Sequence, residues 1–263
     1  MRLGKFAKML GPIAAMVAAG GLGGCTSSIS FGDDDGVPLA ELDTSGNAPT
    51  EIVLAGPDRV SLSEGDTLVI EPSGDAEEVA KLRFVLEDGK LAIHRDNATS
   101  VATPVSIAVT MPAPEKITIA GSGSVTTGRV AKEAEVKIAG SGKAHLQGID
   151  SDELEIAIAG SGQIEAEGTA RELELKIAGS GSGKMAGLKV ENADVDIVGS
   201  GNATFASDGT VKAKAVGSGD VTVRGSAKCT IKAVGSGSLT CKPGAATKAA
   251  EAPAAPEAPQ AGE

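Results

Sequence analysis

From Lys116 to Lys242 apolar and polar residues alternate in short runs, and the runs recur at a nearly fixed interval. The pentapeptide Ile-Ala-Gly-Ser-Gly, or a close variant, ends one run in every interval, with its first glycine at positions 121, 140, 160, 179, 199, 217 and 235. Four residues before that glycine stand Ile117, Val136, Ile156, Leu175, Val195, Ala213 and Ile231; two before it stand Ile119, Ile138, Ile158, Ile177, Ile197, Ala215 and Ala233. The columns between them carry Glu135, Lys137, Glu155, Glu174, Lys176, Asp194, Lys212 and Lys214. Period two with one apolar face predicts a strand. A second strand follows each corner, with Val125, Ala144, Ile164, Ala203, Val221 and Leu239 inward. Two strands and two corners in every 18 to 20 residues predict an all-β solenoid, a parallel β-helix in which each coil stacks on the next.

The glycines and serines of the repeat are read as geometry. Stacked coils need superimposed sharp corners, and glycine takes positive φ and lets backbones approach closely. The predicted corner ladder consists of Gly121 and Ser122, Gly140 and Ser141, Gly160 and Ser161, Gly179 and Ser180, Gly199 and Ser200, Gly217 and Ser218, and Gly235 and Ser236. Hydrogen bonds between neighbouring serine hydroxyls are expected along it. Upstream, residues 50–115 hold short alternating runs, "EIVLAG", "DTLVIE", "KLRFVLEDGKLAIHR" and "VSIAVTMP". Asp88-Gly89 marks a hairpin turn. These strands are expected to extend or cap the stack, and no amphipathic helix is expected there.

The two ends differ from this pattern. Arg2, Lys5 and Lys8 precede an apolar, glycine-rich stretch that ends in "LGGC" at Leu22–Cys25. Residues 1–24 therefore read as a signal peptide, and "LGGC" resembles a bacterial lipobox, which implies cleavage before Cys25 and lipidation of that residue. Gly23 departs from the Ala or Ser usual at its position. The lipid would hold the chain to a membrane. Thr26 follows the cysteine, where Asp would imply retention at the inner membrane, so the resemblance implies the outer membrane of a cell envelope. Residues 25–49, with Asp33, Asp34 and Asp35, read as an acidic linker, and residues 244–263, rich in Ala, Pro and Glu, as a disordered tail.

Composition narrows the function classes. The net charge is −11, which disfavours nucleic-acid partners. There is no Trp or Tyr and there are four Phe, too few for the aromatic platforms of a sugar-cleaving groove. "AGSGSGKM" at Ala178–Met185 lacks the first glycine of a phosphate loop and has Met185 where a magnesium-binding hydroxyl belongs. The corners lack the Asp of calcium-binding coils. His94 and His145 fall at outward strand positions and read as surface residues. No catalytic residue, metal site or cofactor is expected.

The order "EIVLAGPDRVSLSEGD", "KLRFVLEDGKLAI", "VSIAVTMP" and then "KITIAGSGSV" with its copies resembles the head GIN domain family, a DUF2807-type domain associated with autotransporter adhesins. The resemblance covers about residues 50–243. It implies a right-handed parallel β-helix and an adhesion-like role, with a protein or surface-glycan partner that the sequence does not name. The competing readings are a carbohydrate-active β-helix enzyme and a structural or stress-related envelope component. With Cys25 assigned to lipid, Cys229 and Cys241 remain, six residues before and six after Gly235, at inward positions of the last coil. A disulfide between them is expected in an oxidising envelope, against the alternative of two buried thiols.

Overall fold

The computed structural model describes residues 36–96 and 103–242. Its frame is the alternation just described. Strands β1 (Glu51–Gly56) and β2 (Arg59–Glu64) meet at a corner, as do β7 (Lys116–Gly121) and β8 (Ser124–Thr127). Strand β9 (Glu133–Gly140) leads into four long strands: β10 (Lys143–Gly160), β11 (Gln163–Gly179), β12 (Ser182–Gly199) and β13 (Asn202–Gly217). Each long strand runs from one corner, around the return side, to the next. Strands β14 (Asp220–Arg224), β15 (Lys228–Gly235) and β16 (Ser238–Lys242) complete the series. Neighbouring coils pair in parallel and column for column, Ile138 with Ile158, Ile158 with Ile177, and Ile177 with Ile197. The molecule is a parallel β-solenoid. Inward columns of Ile, Val, Leu and Ala fill its core, and Phe84 and Phe205 lie within it, each nearly devoid of solvent contact.

The corners show what each glycine does. The first glycine of the motif takes φ between +114° and +120° in every coil from Gly121 to Gly235. The second faces inward: a Cβ on Gly142, Gly162, Gly181 or Gly201 would lie 2.5–2.6 Å from the Cγ2 of the isoleucine one coil earlier. The rungs of the ladder are backbone. The Ser161 amide donates to the Gly140 carbonyl (2.9 Å), Ser180 to Gly160 (2.8 Å) and Ser200 to Gly179 (2.9 Å). The corner serines themselves are exposed, and among the described residues no hydrogen bond joins the hydroxyls of neighbouring ones.

The N-terminal third does not stack in chain order. Strand β1 lies between β7 on one side and β5 (Lys90–Arg95) on the other, both parallel to it. Strand β2 lies likewise between β8 and β6 (Ser106–Met111). A coil made of β5 and β6 is thus inserted beneath the coil that precedes it in sequence. Antiparallel strands then close that end: β4 (Leu82–Glu87) pairs with β5 through the Asp88-Gly89 turn, and β3 (Val69–Ser73) pairs with β6. A one-turn helix α1 (Ala76–Val79), where no helix is expected from the sequence, is capped by the Asp75 carboxylate, which accepts from the Glu77 and Glu78 amides. It is too short to carry an amphipathic pattern. Residues 36–49, the last part of the acidic linker, are not free chain. Val37 exchanges backbone hydrogen bonds with Phe84 (3.0 and 2.9 Å), and Leu39 and Leu42 pack on the core. The acidic run that defines the linker ends at Asp35, before this apolar stretch.

At the other end β15 and β16 are the last strands described. Ile231 is in the inward column yet 38% exposed, because no described coil covers it. The structure joins Cys229 and Cys241 by a disulfide, their Cα atoms 6.7 Å apart. Restraint of so short a loop in the unfolded chain contributes about 3 kcal/mol. Replacing both cysteines by alanine is expected to lower the unfolding free energy by that amount, measured by urea titration without reductant. Two alkylatable thiols in the purified, non-reduced protein would show that the staple does not form.

Candidate functional site

The return side, opposite the corners, carries an open concavity. Its walls are the middles of β10 to β13, around Asp150–Asp152, Thr169–Arg171, Lys189–Asn192 and Asp208–Gly209. The recess arises from coil length. The spacing between first glycines is 20 residues from Gly179 to Gly199 and 18 from Gly199 to Gly217. The corner faces keep strict register, so the missing residues come out of the return side, where the β12–β13 pairing slips between Met185 and Lys189 and again between Val190 and Asn192. The resulting groove measures about 640 Å³.

Its charges are cross-coil pairs. Lys189 Nζ lies 2.8 Å from Asp208, Lys132 Nζ 2.7 Å from Asp150, and Arg171 Nε 3.4 Å from Asp152. Asp208 also accepts from the Ser226 amide (3.0 Å) and hydroxyl (3.3 Å) of the following coil. The Lys189 hydrogen bond, then the Ser226 amide, hold its carboxyl down at about 2. The Lys132 hydrogen bond lowers Asp150 similarly. A proton-transferring carboxyl pair needs one member held protonated near neutral pH, and pairing with lysine drives Asp150 and Asp208 the other way. The groove presents solvent-exposed ion pairs that bridge neighbouring coils. The depressed Asp208 pKa favours the folded state above the ordinary aspartate range, and that contribution is lost as pH falls from about 4 towards 2. A carboxyl-carbon NMR titration is expected to place the Asp208 midpoint near 2, moving upward in Lys189→Gln. A wild-type midpoint near 4 would mean that the pair does not persist in solution.

The predicted residues fall as follows. The corner ladder runs along the edge away from the groove, and Cys229 and Cys241 sit in the last coil described, outside the groove's lining. Cys25 and Phe31 lie outside the described residues. His145 is partly exposed on the outer face, its Nδ1 3.2 Å from Glu165 and its Nε2 2.8 Å from Gln147. His94 is half-buried, because the chain around Gly36 passes over it; a Cβ there would lie 2.8 Å from the imidazole Cε1. Among the described residues no group of three or more His, Cys, Asp or Glu is placed to hold a metal ion, and no helix is long and apolar enough to cross a membrane.

Sequence reasoning misses a polar cluster under the N-terminal cap. Asp58 is fully buried at the β1–β2 corner. Its carboxylate accepts from Arg95 Nε (2.8 Å) and Nη2 and from the Val105 amide (2.8 Å), and Arg95 also pairs with Glu78. The hydrogen bond from Arg95 to Asp58 raises the arginine pKa further, and Lys81, with Arg95, lowers that of Glu78. The one trace in the sequence is that "IVLAGPD" aligns with "ITIAGSG", which puts Asp58 in the column of the second glycine.

A family model described as "Putative auto-transporter adhesin, head GIN domain" matches residues 48–227. No curated protein matches the sequence. Among solved structures, a "putative adhesin" of Bacteroides fragilis superposes with a TM-score of 0.64 at 18% identity. A "putative lipid binding protein" of Parabacteroides distasonis gives 0.61 at 23%, and a "putative adhesin" of Parabacteroides merdae 0.56 at 20%. Each comparison covers 74% of this chain and 92% of the other. At these identities the likeness is one of fold.

Proposed function

The chain belongs to the head GIN domain family, and from that premise we propose that it is a non-catalytic cell-envelope lipoprotein that displays its β-solenoid for adhesion or surface contact. The observation that carries this reading is the pairing of the groove carboxylates with Lys132, Arg171 and Lys189. Such a groove offers paired charges of both signs to a polar partner. The family description and the "putative adhesin" relatives support contact with a surface. Fold alone does not carry function, so the reading rests on the groove and the family together.

In this proposal Cys25 holds the lipid, and the protein faces the periplasm or the exterior from the outer membrane. Stable anchoring needs more than one acyl chain, at about 0.8 kcal/mol per buried methylene. Cell fractionation of a Cys25→Ala variant is expected to move the protein from the membrane pellet to the soluble fraction. Continued sedimentation would remove the lipid anchor from the proposal. Binding of the purified protein to a glycan or matrix-protein array supports the adhesion role, whereas release of reducing ends from a polysaccharide would replace it with an enzymatic one.

A further inference from the structure

The repeats serve as their own baseline, since equivalent columns of successive coils occupy equivalent positions. On the face formed by β9, the second halves of β10 to β13, and β15, one outward column reads Glu135, Glu155, Glu174, Asp194 and then Lys212. The next column reads Lys137, Ala157, Lys176, Asp196, Lys214 and Lys232, and Lys228 ends the column that begins with Glu133. Taken over the three columns together, the coils from β9 to β12 are net acidic on this face and those of β13 and β15 net basic. One coil earlier, at the end of β12, the outward residue before the corner changes from alanine, at 120, 139, 159 and 178, to valine. Val198, Val216 and Val234 are 58%, 51% and 70% exposed. Neither change serves the core, because all these side chains point away from it. Lys214 shares Asp196 (3.1 Å), but among the described residues no carboxylate lies within ion-pair distance of Lys212, Lys228 or Lys232.

We infer that this end of the face is a docking surface for an anionic phospholipid membrane. Lysines about 4.8 Å apart between coils and about 6.8 Å apart along a strand make a flat cationic raster. Three β-branched aliphatic side chains at its margin enter the headgroup layer, which an acidic polysaccharide would leave in water. Charge complementarity selects the orientation. The chain carries −11 overall, so an anionic surface repels every other approach and the acidic coils turn away from it. The inference does not require the Cys25 lipid.

The test uses the chain from residue 25 onward with Cys25→Ala, so that neither an acyl chain nor the basic and apolar residues 1–24 contribute, and sedimentation with vesicles. Co-sedimentation is expected with phosphatidylcholine–phosphatidylglycerol vesicles and not with phosphatidylcholine alone, and it is lost at about 1 M salt, where screening acts within about 3 Å. Changing Lys212, Lys214, Lys228 and Lys232 together to Gln is expected to weaken partitioning about a hundredfold or more, from roughly fivefold per lysine. Val216→Ser with Val234→Ser is expected to weaken it several-fold further. All six positions face outward, and an unchanged far-UV spectrum confirms that the variants fold. Equal binding to both vesicle types, or retained binding by the lysine variant, overturns the inference. So does a dimer of the wild type that the lysine variant abolishes without any vesicle binding, which would assign the patch to the acidic face of a second copy. Binding to an acidic polysaccharide in place of vesicles overturns it as well.

Discussion

Gly179→Ala is expected to cost about 3 kcal/mol or more of unfolding free energy, while Ser180→Ala, one residue along, changes it by less than about 0.5 kcal/mol. The contrast separates the two parts of the corner motif. Gly179 has φ +119°, where a side chain costs about 1–3 kcal/mol in backbone strain alone. Its added Cβ would also lie 2.5 Å from the Gly160 carbonyl oxygen, which accepts the Ser180 amide. Relief requires the coils to separate, and that breaks the rung. Gly181→Ala has a different mechanism, since its Cβ would press on Ile158 Cγ2 at 2.6 Å. The obstacle there is a core side chain, and overpacking of this kind costs about 1–3 kcal/mol. Ser180 is exposed, and its contribution to the rung is its amide, which alanine keeps. Urea unfolding followed by far-UV circular dichroism gives all three values. A serine variant that loses more than a glycine variant would place the ladder in the hydroxyls and sink this account.

The same contrast explains what could be read from the chain. The coils from Lys116 onward were legible because one set of positions reports both requirements: alternation sets the strands, and glycine sets the corners. The pairing of Ile138, Ile158, Ile177 and Ile197 follows from equal offsets to the glycine. What serine does was not legible, since its side chain and its amide occupy the same letter. The N-terminal coils were legible as strands but not as an order. No local pattern says that β5 and β7 flank β1, because insertion of a coil is decided by which open edge a later strand finds. The corner at Gly56 was hidden by its letters, Pro57 and Asp58 standing where serine and glycine are expected. The groove was visible only as a change in spacing from 20 to 18 residues, and the strict register of the corner faces then forces the deficit onto the return side.

Arg95→Met is expected to destabilise the protein by about 3–5 kcal/mol, because it strands a buried carboxylate without its cation. Asp58 has no solvent exposure, and the Arg95 side chain is 6% exposed. The pair stands where the regular ladder ends. Above it, the Gly123 amide donates to the Gly56 carbonyl, where later corners use the serine amide, and the Ser124 amide donates to the Asp58 carbonyl as Lys143 does to Gly123 one corner on. Below it the β5–β6 coil has no Gly-Ser-Gly, and the Asp58 side chain supplies the missing contacts. It receives the Val105 amide that opens β6 and the guanidinium that closes β5. Asp58→Ala is expected to cost a similar amount, since it leaves Arg95 with Glu78 as its remaining carboxylate partner and frees the Val105 amide. The two losses should not add. In Asp58→Ala with Arg95→Met both buried charges are gone, so the double variant is expected to lie within about 1–2 kcal/mol of either single one, a coupling energy of roughly 2 kcal/mol or more. Urea unfolding of the four proteins closes the cycle. Strict additivity would mean that Asp58 and Arg95 stabilise the cap independently, and that the corner at Gly56 is held by its backbone like the others.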